Sequence, residues 1–126
     1  MYRNKWIDIA LDDIDSAKIM LREKKYNNVC YFSHQAAEKG LKGYLEDNKI
    51  NPPRIHDLIE LVKKCQNIDN QFSKFLQQAR ILNQFYIPTR YPVAPIGITP
   101  MGMPDKSLAK KALNYAEDIV NFCKSI

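Results

Sequence analysis

The residues best able to bind or transform a ligand gather in two places. The first is the stretch from Tyr26 to Asp47, YNNVCYFSHQAAEKGLKGYLED. Laid out at about 100° per residue, Gln35, Glu38, Lys39, Lys42 and Glu46 fall on one narrow polar stripe, flanked by Tyr31 and Phe32. Glu38 and Lys42 form an i,i+4 ion pair in the favourable order. The stripe reads equally well as a solvated face and as an anion site, with Lys39 and Lys42 presenting ammonium groups beside Gln35. The second place is Arg90 with Tyr91, in the segment YIPTRYPVAPIGITPMGMP. Arg90 is the one charge in that segment, so its guanidinium must find an anion, a carbonyl or water. Tyr91 adds a flat face on which a base could stack. Pinning of the loop through Glu38 or another carboxylate is an equal reading, and the two are compatible.

Two histidines complete the inventory. His34 sits at the border between the polar stripe and the apolar arc, where a hydrogen-bonded packing role is the first expectation. His56 precedes a helix, and a capping role is expected for it or for Asp57. Either imidazole titrates near neutrality and could serve as an acid or base. No Ser or Cys occupies a nucleophile elbow and no glycine-rich phosphate loop exists; GITPMG has two glycines at the wrong spacing and no lysine. Cys30, Cys65 and Cys123 are widely spaced and form no CxxC, so no metal motif is present. An odd number of scattered cysteines reads as reduced, packed thiols in a cytosolic protein.

These residues need a scaffold, and apolar periodicity supplies one. A first helix is expected over about 4–24, with Trp6, Ala10, Ile14, Ala17 and Leu21 at helical spacing, joined by Ile7 and Leu11. The second is the central stretch itself. Val29, Cys30, Ser33, Ala36, Ala37, Gly40, Leu41, Tyr44 and Leu45 cover well over half of its circumference, the inverse of an ordinary surface helix. Several neighbours must therefore pack on it, leaving one charged seam free. Gly40 and Gly43, each costing about 1 kcal/mol against Ala in a helix interior, imply close approach. Pro52 and Pro53 force an extended connector. A short helix follows over roughly 57–66, with Leu58, Leu61, Val62 and Cys65 inward. After a break at NIDN, where Asp69 is an N-cap candidate, Phe72, Phe75, Leu76, Ala79, Leu82 and Tyr86 define a further amphipathic helix. The proline-rich segment cannot be helix or central strand. Its apolar side chains suit a loop that packs on something. The last helix starts near Asp105, with Leu108, Ala112, Leu113, Ala116, Ile119, Val120 and Cys123 buried. The sum is an all-α, up-and-down bundle of four main helices plus one short helix, in a single domain over residues 1–126.

The bulk properties agree. A chain of 126 residues with 45% hydrophobic and 26% charged residues can bury a core and is not disordered. No apolar run approaches the roughly 20 residues of a membrane span, and the acids in MYRNKWIDIALDD argue against a secretory signal. A net charge of +5 suits phosphate-bearing partners.

AAEKGLKGYL, then RIHDLIEL, then FYIPTRYP, in that order, resemble the HEPN domain (higher eukaryotes and prokaryotes nucleotide-binding) over nearly the whole chain. The resemblance implies a helical bundle that often dimerises and that in many prokaryotes acts beside a minimal nucleotidyltransferase in toxin–antitoxin-like pairs. By position it carries the family's motifs onto Glu38, Lys39 and Lys42, onto His56 and Asp57, and onto Arg90, Tyr91 and Pro92. Val93 stands where an acidic residue often follows that proline. Some relatives are metal-independent ribonucleases, marked by an Arg, four to six residues, then a His near the start of the last helix. No histidine follows His56 here, so that activity does not transfer. The reading is a non-catalytic nucleotide-binding or partner-binding module, without cofactor or metal. ATP or GTP are possible ligands at Gln35, Glu38, Lys39, Lys42, His56, Arg90 and Tyr91. Expected partners are a second copy and a minimal nucleotidyltransferase. RNA is possible but not favoured, and no membrane is involved. Two alternatives stand: a ribonuclease using His34 or His56 with Arg90, and a structural antitoxin or dimer scaffold.

Overall fold

Asn4 starts the first helix by turning its side chain back onto it. Its Oδ1 accepts from the Ile7 amide at 3.0 Å, which satisfies one of the orphan donors of a helix start. Helix α1, Lys5–Arg22, buries Ile7, Ala10, Ile14 and Ala17. Trp6, Leu11 and Leu21 stay half-buried at the edges of that face. The computed structural model describes residues 4–86 and 104–125. After α1 the chain reverses through Lys24 at φ 61°, and helix α2, Tyr26–Asp47, begins.

Helix α2 is the axle of the molecule, as the width of its apolar arc requires. It packs against α1, against the last helix and against the short third helix. Close approach explains its glycines. A Cβ on Gly43 would lie 3.1 Å from Asn4 Oδ1, Ile7 Cδ1 and Trp6 Cβ, and one on Gly40 would lie 3.2 Å from Val120 Cγ2. Asn4 also spans the joint, its Nδ2 donating to the Gly43 carbonyl at 2.9 Å and to Asp47 Oδ1 at 2.7 Å.

Beyond α2 the connector of residues 48–57 is non-helical, as the proline pair dictates. Asp57, not His56, caps helix α3, Leu58–Gln66, accepting from the Ile59 amide at 2.9 Å. Asn83 braces the same start, its Oδ1 accepting from the Leu58 amide at 2.8 Å and its Nδ2 donating to Asp57 at 2.9 Å. The helix expected from Phe72 to Tyr86 is divided. A 3₁₀ segment, Asn70–Phe75, precedes helix α4, Leu76–Asn83. Asp69 sets the tight entry by accepting from the Gln71 amide at 3.0 Å. Three residues per turn then align Phe72 with Phe75, and both enter the core. There Phe72 lies 4.6 Å from the Tyr44 ring and 5.0 Å from that of Phe122, and Phe75 lies 5.4 Å from Phe122.

Helix α5, Lys106–Ser125, completes the bundle. Of its expected inward residues Leu108 is half-buried, and Ala109 is fully buried in addition. The fold is all-α and up-and-down, with no strand among the described residues. The proline-rich segment, with Arg90, Tyr91 and Pro92, lies outside the described residues. Among the described residues no helix is long and apolar enough to cross a membrane. Cys30, Cys65 and Cys123 are free and buried. Burial pushes the Cys30 and Cys65 thiols up to about 12 and Cys123 well above its ordinary range, so all three serve as packing groups.

The α1–α2 contact leaves no room at Gly43. Gly43→Val is expected to destabilise the protein by about 1–3 kcal/mol through overpacking, measured as a lower urea midpoint at unchanged slope.

Candidate functional site

Glu38 is the unexpected residue. The helical pattern places it on a free seam, yet it is fully buried, and Lys42 beside it is only 5% exposed. The expectation of an open polar stripe is thus corrected. His56 of the connector bonds Glu38, and Trp6 of α1 lies beside Lys42, neighbours that a helical projection of α2 alone cannot show.

A buried carboxylate needs charge and hydrogen-bond partners, and Glu38 has them at both oxygens. Oε2 accepts from Lys42 Nζ at 2.9 Å and from Lys39 Nζ at 3.1 Å. Oε1 accepts from His56 Nδ1 at 3.0 Å. Burial alone would raise the Glu38 carboxyl. The bonds from Lys42 and His56, with the Lys39 charge, outweigh it and hold the group below the ordinary carboxylate value.

The network closes on itself. Lys39 Nζ donates on to Gln35 Oε1 at 3.2 Å. Gln35 Nε2 donates to His34 Nδ1 at 3.2 Å, and His34 Nε2 donates to the His56 carbonyl at 3.0 Å. These partners fix the His34 tautomer as Nε2–H. His34 is fully buried, and burial lowers its pKa to about 4 against the pull of Glu38. It is therefore the packing histidine anticipated from its position. His56 differs: its side chain is 51% exposed. Its ring stacks on Tyr86 at 4.5 Å and 15°.

Helix α1 adds Asp13, whose carboxyl burial raises to about 6, with Lys39 opposing the shift. It also adds Trp6. Lys42 Nζ lies 5.6 Å from the indole centroid, within cation–π range. Trp6 Nε1 donates to Glu46 at 3.3 Å. Trp6, Lys42, Glu46, Asn51, Pro52, Pro53 and Arg54 line a cleft of about 430 Å³, inside the usual range for ligand pockets.

The structure thus brings Gln35, Glu38, Lys39, Lys42 and His56 into one network. Sequence reasoning misses Trp6, Asn51, Arg54 and Asp13 as site residues, because the spacing of Trp6 marks it only as a core position. The signal for Arg54 is its place after the proline pair, facing back toward α2. Among the described residues no cluster of His, Cys, Asp or Glu could hold a metal ion.

The HEPN domain family model matches residues 4–126. Solved structures agree with it over nearly their full length. ST0689, an archaeal HEPN homologue, is 31% identical with a TM-score of 0.77, over 99% of this chain and 98% of that one. TT1696 from Thermus thermophilus is 28% identical with a TM-score of 0.82, over 95% and 94%. A HEPN domain protein from Thermotoga maritima, TM0613, is 25% identical with a TM-score of 0.77, over 97% and 96%. Comparison with curated proteins finds no match.

The network makes a pH prediction. His34 has a folded pKa below its ordinary 6.5, so its contribution is complete above 6.5 and is lost as pH falls toward 4. The loss amounts to about 3 kcal/mol at roughly 1.4 kcal/mol per pH unit. Asp13, raised from 3.8 to about 6, acts in the opposite sense, its contribution present at low pH and lost as pH rises to 6. The difference between wild type and His34→Gln isolates the histidine. Urea denaturation across this window should show the wild type losing more stability toward acid than the variant.

Proposed function

The chain belongs to the HEPN domain family, and on that premise we propose that it is a nucleotide-binding module whose ligand lies in the cleft between Trp6 and Arg54. The observation that carries this reading is the meeting of an indole with two cationic side chains, Lys42 and Arg54, in one cleft. Among the described residues Glu38 holds Lys42 through one bond, and an ammonium has three donors, so two are uncommitted there and can meet phosphate oxygens. Arg54 is exposed and offers a planar fork suited to phosphate. The Trp6 indole supplies a stacking face, worth roughly 1–3 kcal/mol per base. Its bond to Glu46 fixes the ring's orientation.

Arg90 and Tyr91 lie outside the described residues; their residue types alone suit a phosphate and a base of the same ligand. The module acts as a homodimer, in the cytoplasm, beside a separately encoded minimal nucleotidyltransferase in a toxin–antitoxin-like pair; the family's habits support that context. The ribonuclease alternative lacks its Arg-to-His signature in this sequence.

Trp6 is the single tryptophan of the chain, so its emission reports on the cleft directly. ATP or GTP should quench or shift it and release heat in calorimetry. Arg54→Ala should weaken binding by about tenfold or more, given the roughly 1.5–3 kcal/mol of a charged hydrogen bond. Lys42→Ala is a poorer probe because it strips a buried carboxylate of its closest cation. Neither heat nor an emission change with either nucleotide would refute the reading.

A further inference from the structure

His56 is held more firmly than an exposed side chain requires. Its carbonyl is fixed by His34, its Nδ1 by Glu38 and its ring face by Tyr86. Among the described residues Nε2 has no hydrogen-bond partner, and half of the side chain is open to solvent. A buried carboxylate behind one imidazole nitrogen orients the ring, fixes the tautomer and stabilises positive charge that develops on it. Here that arrangement leaves the lone pair of Nε2 unengaged among the described residues, on a side chain that is half exposed.

The line of groups along α2 indicates what could meet that lone pair. Trp6 sits beside Glu46, and His56 sits beside Glu38, eight residues earlier in the helix. At about 1.5 Å per residue Glu38 and Glu46 lie roughly 12 Å apart along the axis, comparable to the reach from the base of a nucleoside triphosphate to its terminal phosphate. Lys42 and Lys39 stand between, and Lys39 keeps 20% of its side chain exposed. Arg54 lies two residues before His56.

Resting on the nucleotide-binding reading, we propose that Nε2 of His56 accepts the terminal phosphoryl group of a nucleoside triphosphate whose base lies at Trp6. The lone pair of Nε2 attacks the terminal phosphorus. The bond from that phosphorus to the bridging oxygen breaks, and the nucleoside diphosphate leaves with the electron pair. The Nδ1 proton stays in its bond to Glu38, whose negative charge balances the cation that the ring becomes. Lys39 and Lys42 offset charge on the phosphate oxygens. His34 cannot substitute, because both of its nitrogens are already engaged and the ring is buried.

The test incubates the full chain with magnesium and ATP or GTP labelled at the γ-phosphate, while Trp6 emission is followed in the same samples. The expected result is a protein-bound label that survives alkali, is lost in acid and maps to His56 by mass spectrometry. It should fall at least tenfold in His56→Gln, and α-labelled nucleotide should leave none. Nucleotide binding without any label would overturn the phosphoryl transfer and leave the binding site standing. A label undiminished in folded His56→Gln would overturn the assignment to His56. Absence of binding and label together would overturn both readings.

Discussion

One carboxylate with no access to water dictates the layout of this bundle's polar side. Glu38 is charged, fully buried and placed in the middle of the central helix. Water normally solvates such a group, and its replacement must come from donors held at fixed positions. Lys42 and Lys39 supply them from the same helix. His56 must come from elsewhere, so the connector after α2 has to run back along it. The closed chain of bonds from His34 through Gln35, Lys39, Glu38 and His56 satisfies the buried carboxylate and the buried imidazole and ties that connector down. Among the described residues the same bonds leave one nitrogen of His56 and two donors of Lys42 uncommitted.

The helical frame was plain from the chain alone, because apolar periodicity is a local property. Ile7, Ala10, Ile14 and Ala17 mark α1, and Ala112, Leu113, Ala116, Ile119 and Val120 mark α5. The glycines of α2 implied close neighbours, and Val120 and Asn4 are those neighbours. The division of the fourth helix was not legible. It depends on Asp69 tightening one turn and on Phe72 and Phe75 sharing the space beside Tyr44 and Phe122, a tertiary demand that no periodicity encodes.

The site was half legible for a related reason. The residue types Gln35, Glu38, Lys39 and Lys42 stood out on a projection of α2, and His56 stood out beside a proline pair. Their environment did not, since a projection of one helix leaves out what lies over it. Trp6 was absorbed into the core stripe because its spacing fits that stripe. Only the approach of α1 to α2 at Gly43 shows that its ring emerges at the rim, next to Lys42. His34 was placed correctly because a histidine at the edge of an apolar arc has few ways to be satisfied except by hydrogen bonds within the protein.

The contacts of Asn4 have a practical corollary for handling the molecule. A single amide begins α1, bonds the Gly43 carbonyl and reaches Asp47 at the far end of α2. Trimming the chain back past this residue, or fusing a rigid tag directly onto it, would remove this fastening between α1 and α2 and loosen the rim of the Trp6 cleft at the same stroke. Engineered versions should keep residue 4 intact and begin any attachment upstream through a flexible spacer.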